Sequence, residues 1–179
     1  MYWENIQGNF TFQLLYSNMV NRFNNAVFVE IGTWKGQSTV YMAEKIKNLG
    51  KNIKFYTIDN FKAFGGYDSD EDVKNGSVFE KYTLNIEPVK EYIHTIIGDS
   101  KLVHTQFEDG SIDFLFLDGD HTYDGVKKDL QLWINKIKKG GVIAGHDYNE
   151  LSCGVRQAVD EYFTFSAQAY DGGCWIIYK

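Results

Sequence analysis

The chain reads as short apolar runs alternating with amphipathic ones. "FTFQLLYSNMVNRF" sets Phe12, Leu15, Tyr16, Met19, Val20 and Phe23 on one face at helical spacing. "AVFVEI" is nearly continuous in apolar residues, the pattern of a strand buried on both faces. The break "GTWKGQ" leads into "STVYMAEKIKNLG", a helix closed at Gly50, and "IKFYTI" is a second buried strand ending at Asp59. Strand, glycine loop, helix and strand in this order predict a right-handed βαβ unit. "FKAFGGYDSDEDVKNGS" predicts a long mobile loop, and "VFEKYTLNIEPVKEYI" a weaker helix broken near Pro88. "HTIIGDS" and "SIDFLFLD" predict the third and fourth strands. "DGVKKDLQLWINKIKK" predicts one amphipathic helix with Val126, Leu130, Trp133, Ile134 and Ile137 inward. Lys139-Gly140-Gly141 then turns the chain into a fifth strand, "GVIAGH". "CGVRQAVDEYF" predicts a last helix, and two short strands around "TFSAQAY" and "CWIIYK" join at Asp171-Gly172-Gly173.

Strands alternating with helices predict an α/β fold, a mostly parallel sheet of seven strands covered by helices on both faces. The final hairpin places one antiparallel strand at or near the edge. With 179 residues, 44% of them hydrophobic, and a single proline, the chain is expected to form one domain over 1–179. The segment 1–24 is expected to lie over the site as a helical piece, and the last strand ends the chain with no added cap domain. So lean a domain leaves room for a homo-oligomer in which a neighbouring subunit closes the site.

Charge removes some partners. The formal net charge is −6, and lysines gather only along the helix after the fourth strand, so nucleic acid is not expected. No apolar run approaches the ~20 residues of a membrane span, and "MYWENIQGNF" has no leader pattern. Cys153 and Cys174 lack metal-type spacing. The expectation is a cytoplasmic protein acting on a small molecule.

In open parallel sheets, ligands bind beyond the carboxyl ends of the strands, near the switch in strand order. Glu30, Asp59, Asp99, Asp118, Asp120, His121, His146 and Asp147 all fall at such ends. One acidic loop residue is more often a turn former than a ligand, but here five strand ends coincide. Gly32 and Gly36 let the backbone approach a ligand. A dinucleotide fingerprint counted from Gly32 fails at Trp34 and Gln37, and no P-loop occurs. Asp59 can accept both hydroxyl protons of a ribose. An adenosine-containing ligand without a pyrophosphate meets both observations.

"VEIGTWKGQST", "TIDNF", "IDFLFLDGDHTYDGVKKDL", "KKGGVIAGHDY" and "GVRQAVDEYF" resemble the class I S-adenosylmethionine-dependent methyltransferases with their Rossmann-like fold. Within that class they resemble the small bacterial branch of sugar and antibiotic O-methyltransferases and cephalosporin-hydroxylase-like proteins. The resemblance implies that Gly32, Thr33 and Gly36 wrap the methionine part of the cofactor, with Glu30 orienting its amino end and Ser38 at the following helix start. It implies Asp59 on the ribose, Asn60 beside the adenine, Gly98, Asp99 and Ser100 at the adenine amino group, and Asp118 near the sulfonium. The implied reaction is O-methylation of a small polar acceptor such as a sugar or glycan hydroxyl. Two other readings stay open: a cofactor-binding module without turnover, and a different Rossmann-like nucleotide-binding enzyme.

A hydroxyl acceptor must lose a proton, to a base or with the help of a metal. His121 is the candidate base. By the pattern of metal-dependent relatives, Asp118, His146 and Asp147 are the candidate ligands for Mg²⁺ or a similar divalent ion, His146 being a departure from their usual oxygen ligand. Tyr123 and Asp124 are expected at the entry to the next helix, with Asp124 able to cap it. Asp120 has no assigned role. Tyr148 and Asn149 are expected beside the acceptor.

Overall fold

A computed structural model describes residues 2–62, 70–150 and 154–179. The seven strands are β1 (Ala26–Ile31), β2 (Ile53–Asp59), β3 (Ile93–Ile97), β4 (Ile112–Leu117), β5 (Ile137–Gly145), β6 (Gln168–Tyr170) and β7 (Cys174–Tyr178). They form one sheet in the order β3-β2-β1-β4-β5-β7-β6. β1 to β5 pair in parallel, whereas β7 runs antiparallel to both β5 and β6. The order reverses between β1 and β4, so the loops after these two strands open the crevice.

The apolar runs form strands because both faces of each are covered. Phe28, Phe114 and Phe116 point to one side, against α1 (Gln13–Arg22) and α2 (Gln37–Asn48). Val29, Leu115 and Leu117 point to the other, against α6 (Tyr123–Trp133) and α7 (Val155–Tyr162). Trp133 and Trp175, both fully buried, anchor this second face. Burying each such side chain stabilises the fold by about 2–3 kcal/mol.

Three local expectations are corrected. The helix after β4 ends at Trp133, not Lys139; a 3-10 turn over Ile134–Lys136 follows, and Ile137 already pairs with Ile112 in β5. Gly140 and Gly141 therefore lie within a register shift of the strand, with Gly140 at φ 82 in the left-handed region. The cap of α6 is Thr122, whose hydroxyl accepts from the Gly125 amide at 3.1 Å, so Asp124 is a first-turn residue. Of the expected loop, residues 63–69 lie outside the described residues. The part after them holds α3 (Glu71–Asn75), capped by Asp70, and leads into α4 (Val78–Ile86). The break at Pro88 is a 3-10 turn over Glu87–Tyr92. Cys153 also lies outside the described residues.

Candidate active site

A cleft partly open to solvent lies across the carboxyl ends of β1 to β5. Gly32, Thr33, Ser38, Asp59 and Asn60 line one side of it, and Gly98, Asp99 and Ser100 the far end. Asp118, His121 and His146 line the other side. Glu30, Gly36 and Asp147 are not on its wall.

The loop after β1 comes within contact of the loop after β4. A Cβ on Gly32 (φ 86) would meet the Asp118 carbonyl at 2.1 Å, so glycine is required there for both conformation and space. Asp59 holds this loop from β2. One carboxylate oxygen accepts from the Thr33 and Trp34 amides at 2.7 and 2.9 Å, and the other from the Phe61 amide at 2.7 Å. Those bonds set Trp34 at φ 44, an uncommon conformation for a bulky residue.

Glu30 lies beneath the loop. Its carboxylate accepts from the Tyr16, Ser38 and Thr39 hydroxyls at 2.8, 2.6 and 2.6 Å. Burial raises its pKa to about 7 although the three hydroxyl donors pull it down. Glu30 thus ties α1, β1 and α2 together under the cleft. Lys35, 2% exposed, stacks on the Trp34 ring at 4.3 Å and pairs with Asp70 at 3.0 Å and Asp72 at 2.7 Å. Its ammonium also donates to Gln7 at 2.9 Å, so the loop after β1 holds both the N-terminal segment and the start of α3.

At the far end, Asp99 caps the short α5 (Ser100–Val103) by accepting from the Lys101 amide at 2.9 Å. The Ser100 hydroxyl donates to Asp129 at 2.7 Å, and burial raises the Asp129 pKa to about 6. Asp120 accepts from the Thr122 amide and hydroxyl and pairs with Lys101 at 3.2 Å. It shapes the turn between β4 and α6.

The chemistry-bearing groups gather above β4 and β5. His121 Nε2 lies 3.4 Å from Asp118 and 3.3 Å from Asp147. Asp147, at φ 58, turns its carboxylate back toward both histidines and lies 3.1 Å from His146 Nδ1. Donor atoms of Asp118, His121 and Asp147 lie within 4.8 Å of one another. The imidazole in that group is thus His121, where the sequence pattern points to His146. His146 faces the same carboxylates with Nδ1, at 3.7 Å from Asp118, while its Nε2 contacts Thr11 and the Gly172 carbonyl. Burial presses the His121 pKa down, but Asp118 and Asp147 outweigh it and hold the imidazole at about 9. Burial lowers and the two carboxylates raise the His146 pKa, with a net upward shift. Burial raises that of Asp118.

Gln7, Gly8, Asn9, Phe10 and Phe12 supply a wall that sequence reasoning reached only as a general covering segment. Thr11, Lys35 and Gly172 have no site role that the sequence pattern points to. The lysine inside "GTWKG" was a readable signal; the Thr11–His146 contact, 135 residues apart, was not. The Tyr148 hydroxyl pairs with Asp160 and does not line the cleft.

A family model described as a methyltransferase domain matches residues 29–148. An uncharacterized protein of Acanthamoeba polyphaga mimivirus is 32% identical over 155 residues, which cover 82% of this chain. The chain spans 64% of that relative's length. The solved structure of the O-methyltransferase NovP is similar at a TM-score of 0.72 and 18% identity, covering 93% of this chain and 78% of its own. A TDP-rhamnose 3'-O-methyltransferase of calicheamicin biosynthesis is similar at 0.62 and 13% identity, covering 93% and 76%. These two structural likenesses concern the fold.

Proposed function

The chain belongs to the methyltransferase-domain family, and from that premise we propose that it transfers a methyl group from S-adenosylmethionine to a hydroxyl of a small polar acceptor, a sugar being the first candidate. The observation that carries this reading is the joining, in one cleft, of a glycine loop held by Asp59 to Asp118 and His121, with the Asp147 carboxylate 3.3 Å from His121 Nε2. The adenosine end of the cofactor would lie along Asp59, Asn60 and Asp99, and its sulfonium near Asp118. A TDP-rhamnose methyltransferase among the similar folds supports the sugar, as does a wall that includes both Gln7 and Asn9 and the aromatic residues Phe10 and Phe12. A wall of mixed amide and aromatic residues suits a polyhydroxyl ring, which offers both donors and apolar C–H surface.

In the reaction, a lone pair of the acceptor oxygen forms a bond to the methyl carbon as the carbon–sulfur bond breaks. That electron pair returns to sulfur, and the hydroxyl proton leaves. His121, held at about 9, is already protonated near pH 7, which disfavours it as the base and makes Asp118 the proton acceptor. The imidazolium then stabilises the carboxylates and the negative charge that develops on the acceptor. With the His121 proton displaced, Asp118, His121 and Asp147 are alternatively a donor set that fits a divalent cation. Such a cation, when bound, supplies positive charge that lowers the pKa of an acceptor hydroxyl.

Calorimetry with S-adenosylmethionine and S-adenosylhomocysteine tests the cofactor, and failure of both to bind at millimolar concentration sinks the proposal. A methyl-transfer screen over sugars, phenols and small acids then defines the acceptor. Running it with and without chelator decides the cation, since unchanged turnover leaves Asp118 acting alone. Binding of Mn²⁺, followed by its electron spin resonance and lost in Asp118→Asn, would be the matching signal without turnover.

A further inference from the structure

The two nitrogens of His146 have unlike surroundings. On one side, the Thr11 hydroxyl donates its single proton to the Gly172 carbonyl at 2.7 Å. Its oxygen has only lone pairs left for His146 Nε2, 3.1 Å away. The Gly172 carbonyl, 3.0 Å from the same nitrogen, is an acceptor too. Both neighbours of Nε2 accept, so Nε2 makes these contacts only while it carries a proton.

On the other side, Nδ1 faces the carboxylates of Asp147 at 3.1 Å and Asp118 at 3.7 Å. With the proton on Nε2, a neutral ring turns the Nδ1 lone pair toward those oxygens. A cation shared between ring and carboxylates, a proton or a metal ion, then has Nδ1 as its seat. The ring is buried and packs on Phe12 at 5.0 Å, next in sequence to Thr11. Gly172 is itself constrained: it sits at φ 72, and a Cβ there would meet the Thr11 carbonyl at 2.2 Å.

We propose that Thr11 is a positioning residue that, with the Gly172 carbonyl, locks the proton of His146 on Nε2 and delivers Nδ1 to the Asp118–Asp147 pair. Thr11 touches neither cofactor nor acceptor in this role; it acts through the ring. The kinetic side rests on the methyltransferase reading, while the tautomer does not.

The test is long-range ¹⁵N–¹H correlation of the histidine rings in the full chain, treated with chelator, at a pH where the imidazoles are neutral. His146→Gln assigns the signal. The wild type is expected to show His146 protonated on Nε2. Thr11→Val keeps the shape but removes the second acceptor, and should shift the ring toward the Nδ1-protonated form that the carboxylates favour. Its kcat should fall about fivefold, the worth of one hydrogen bond, with cofactor affinity unchanged. Thr11→Ser should restore both spectrum and rate. Wild-type His146 with its proton on Nδ1, or a Thr11→Val spectrum matching wild type, overturns the inference. If Thr11→Val does not fold, the wild-type and Thr11→Ser spectra decide. A protein that binds no S-adenosylmethionine but shows the Nε2 tautomer removes the methyltransferase reading and keeps this one.

Discussion

The carboxylates over β1 and β2 and those over β4 and β5 look alike in the sequence and behave differently in the structure. Glu30 and Asp59 accept from hydroxyls and backbone amides, groups whose charge does not change in the working range of pH. They hold a shape. Asp118 and Asp147 face the imidazoles of His121 and His146, whose charge does change. They hold a charge. A strand-end carboxylate is therefore defined by its donors, and the rim divides into a half with neutral donors and a half with titratable ones.

Stability offers the largest expected effect. Glu30 has its folded pKa raised from 4.5 to about 7, so the folded state binds the extra proton between these values. Its contribution is fully present below about 4.5 and is lost as pH rises through about 7, a change of roughly 3 kcal/mol. Urea midpoints should fall from pH 4.5 to 7, and Glu30→Gln should lose most of that slope. Asp129, also raised, to about 6, accounts for part of the remainder. An unaltered slope in Glu30→Gln would place Glu30 outside the shape-holding half.

Asp118→Asn should affect rate instead. Turnover is expected to drop about a hundredfold with cofactor affinity nearly unchanged, measured by single-turnover methyl transfer alongside calorimetry. Equal losses in binding and rate would erase the contrast between the halves. Asp59→Ala should show the converse, cofactor binding weakened about tenfold with smaller loss at saturation. Lys35→Met keeps a side chain over Trp34 but removes the pairs with Asp70 and Asp72. It should cost about 1 kcal/mol in thermal unfolding, because Asp72 keeps Lys81 and Ser77.

Much of this was readable before any coordinates. The parallel strands announce themselves as continuous apolar runs because both faces of each are covered. The rim follows from where those runs stop. The helix after β4 shows how periodicity misleads: Ile134 and Ile137 keep the helical phase, yet a 3-10 turn brings Ile137 inside as a strand residue. The sequence points to a cap at Asp124, but Thr122, three residues ahead of Gly125, is the one whose hydroxyl reaches that amide. Donors were the least legible part. Nothing local in "VEIG" says that Glu30 is filled by Tyr16, and nothing in "TFQ" or "DGG" says that they meet at one imidazole.

That meeting has a consequence for how the protein is made. Thr11 and Gly172 lie 161 residues apart, so most of the described fold is synthesised between them. Small domains fold as cooperative units, so the ring and the carbonyl meet only after the C-terminal hairpin has been made. His146 obtains its second acceptor only when the hairpin of β6 and β7 closes against β5. A chain without the hairpin of β6 and β7 would lack the Gly172 acceptor of His146, so one imidazole joins segments from opposite ends of the described fold.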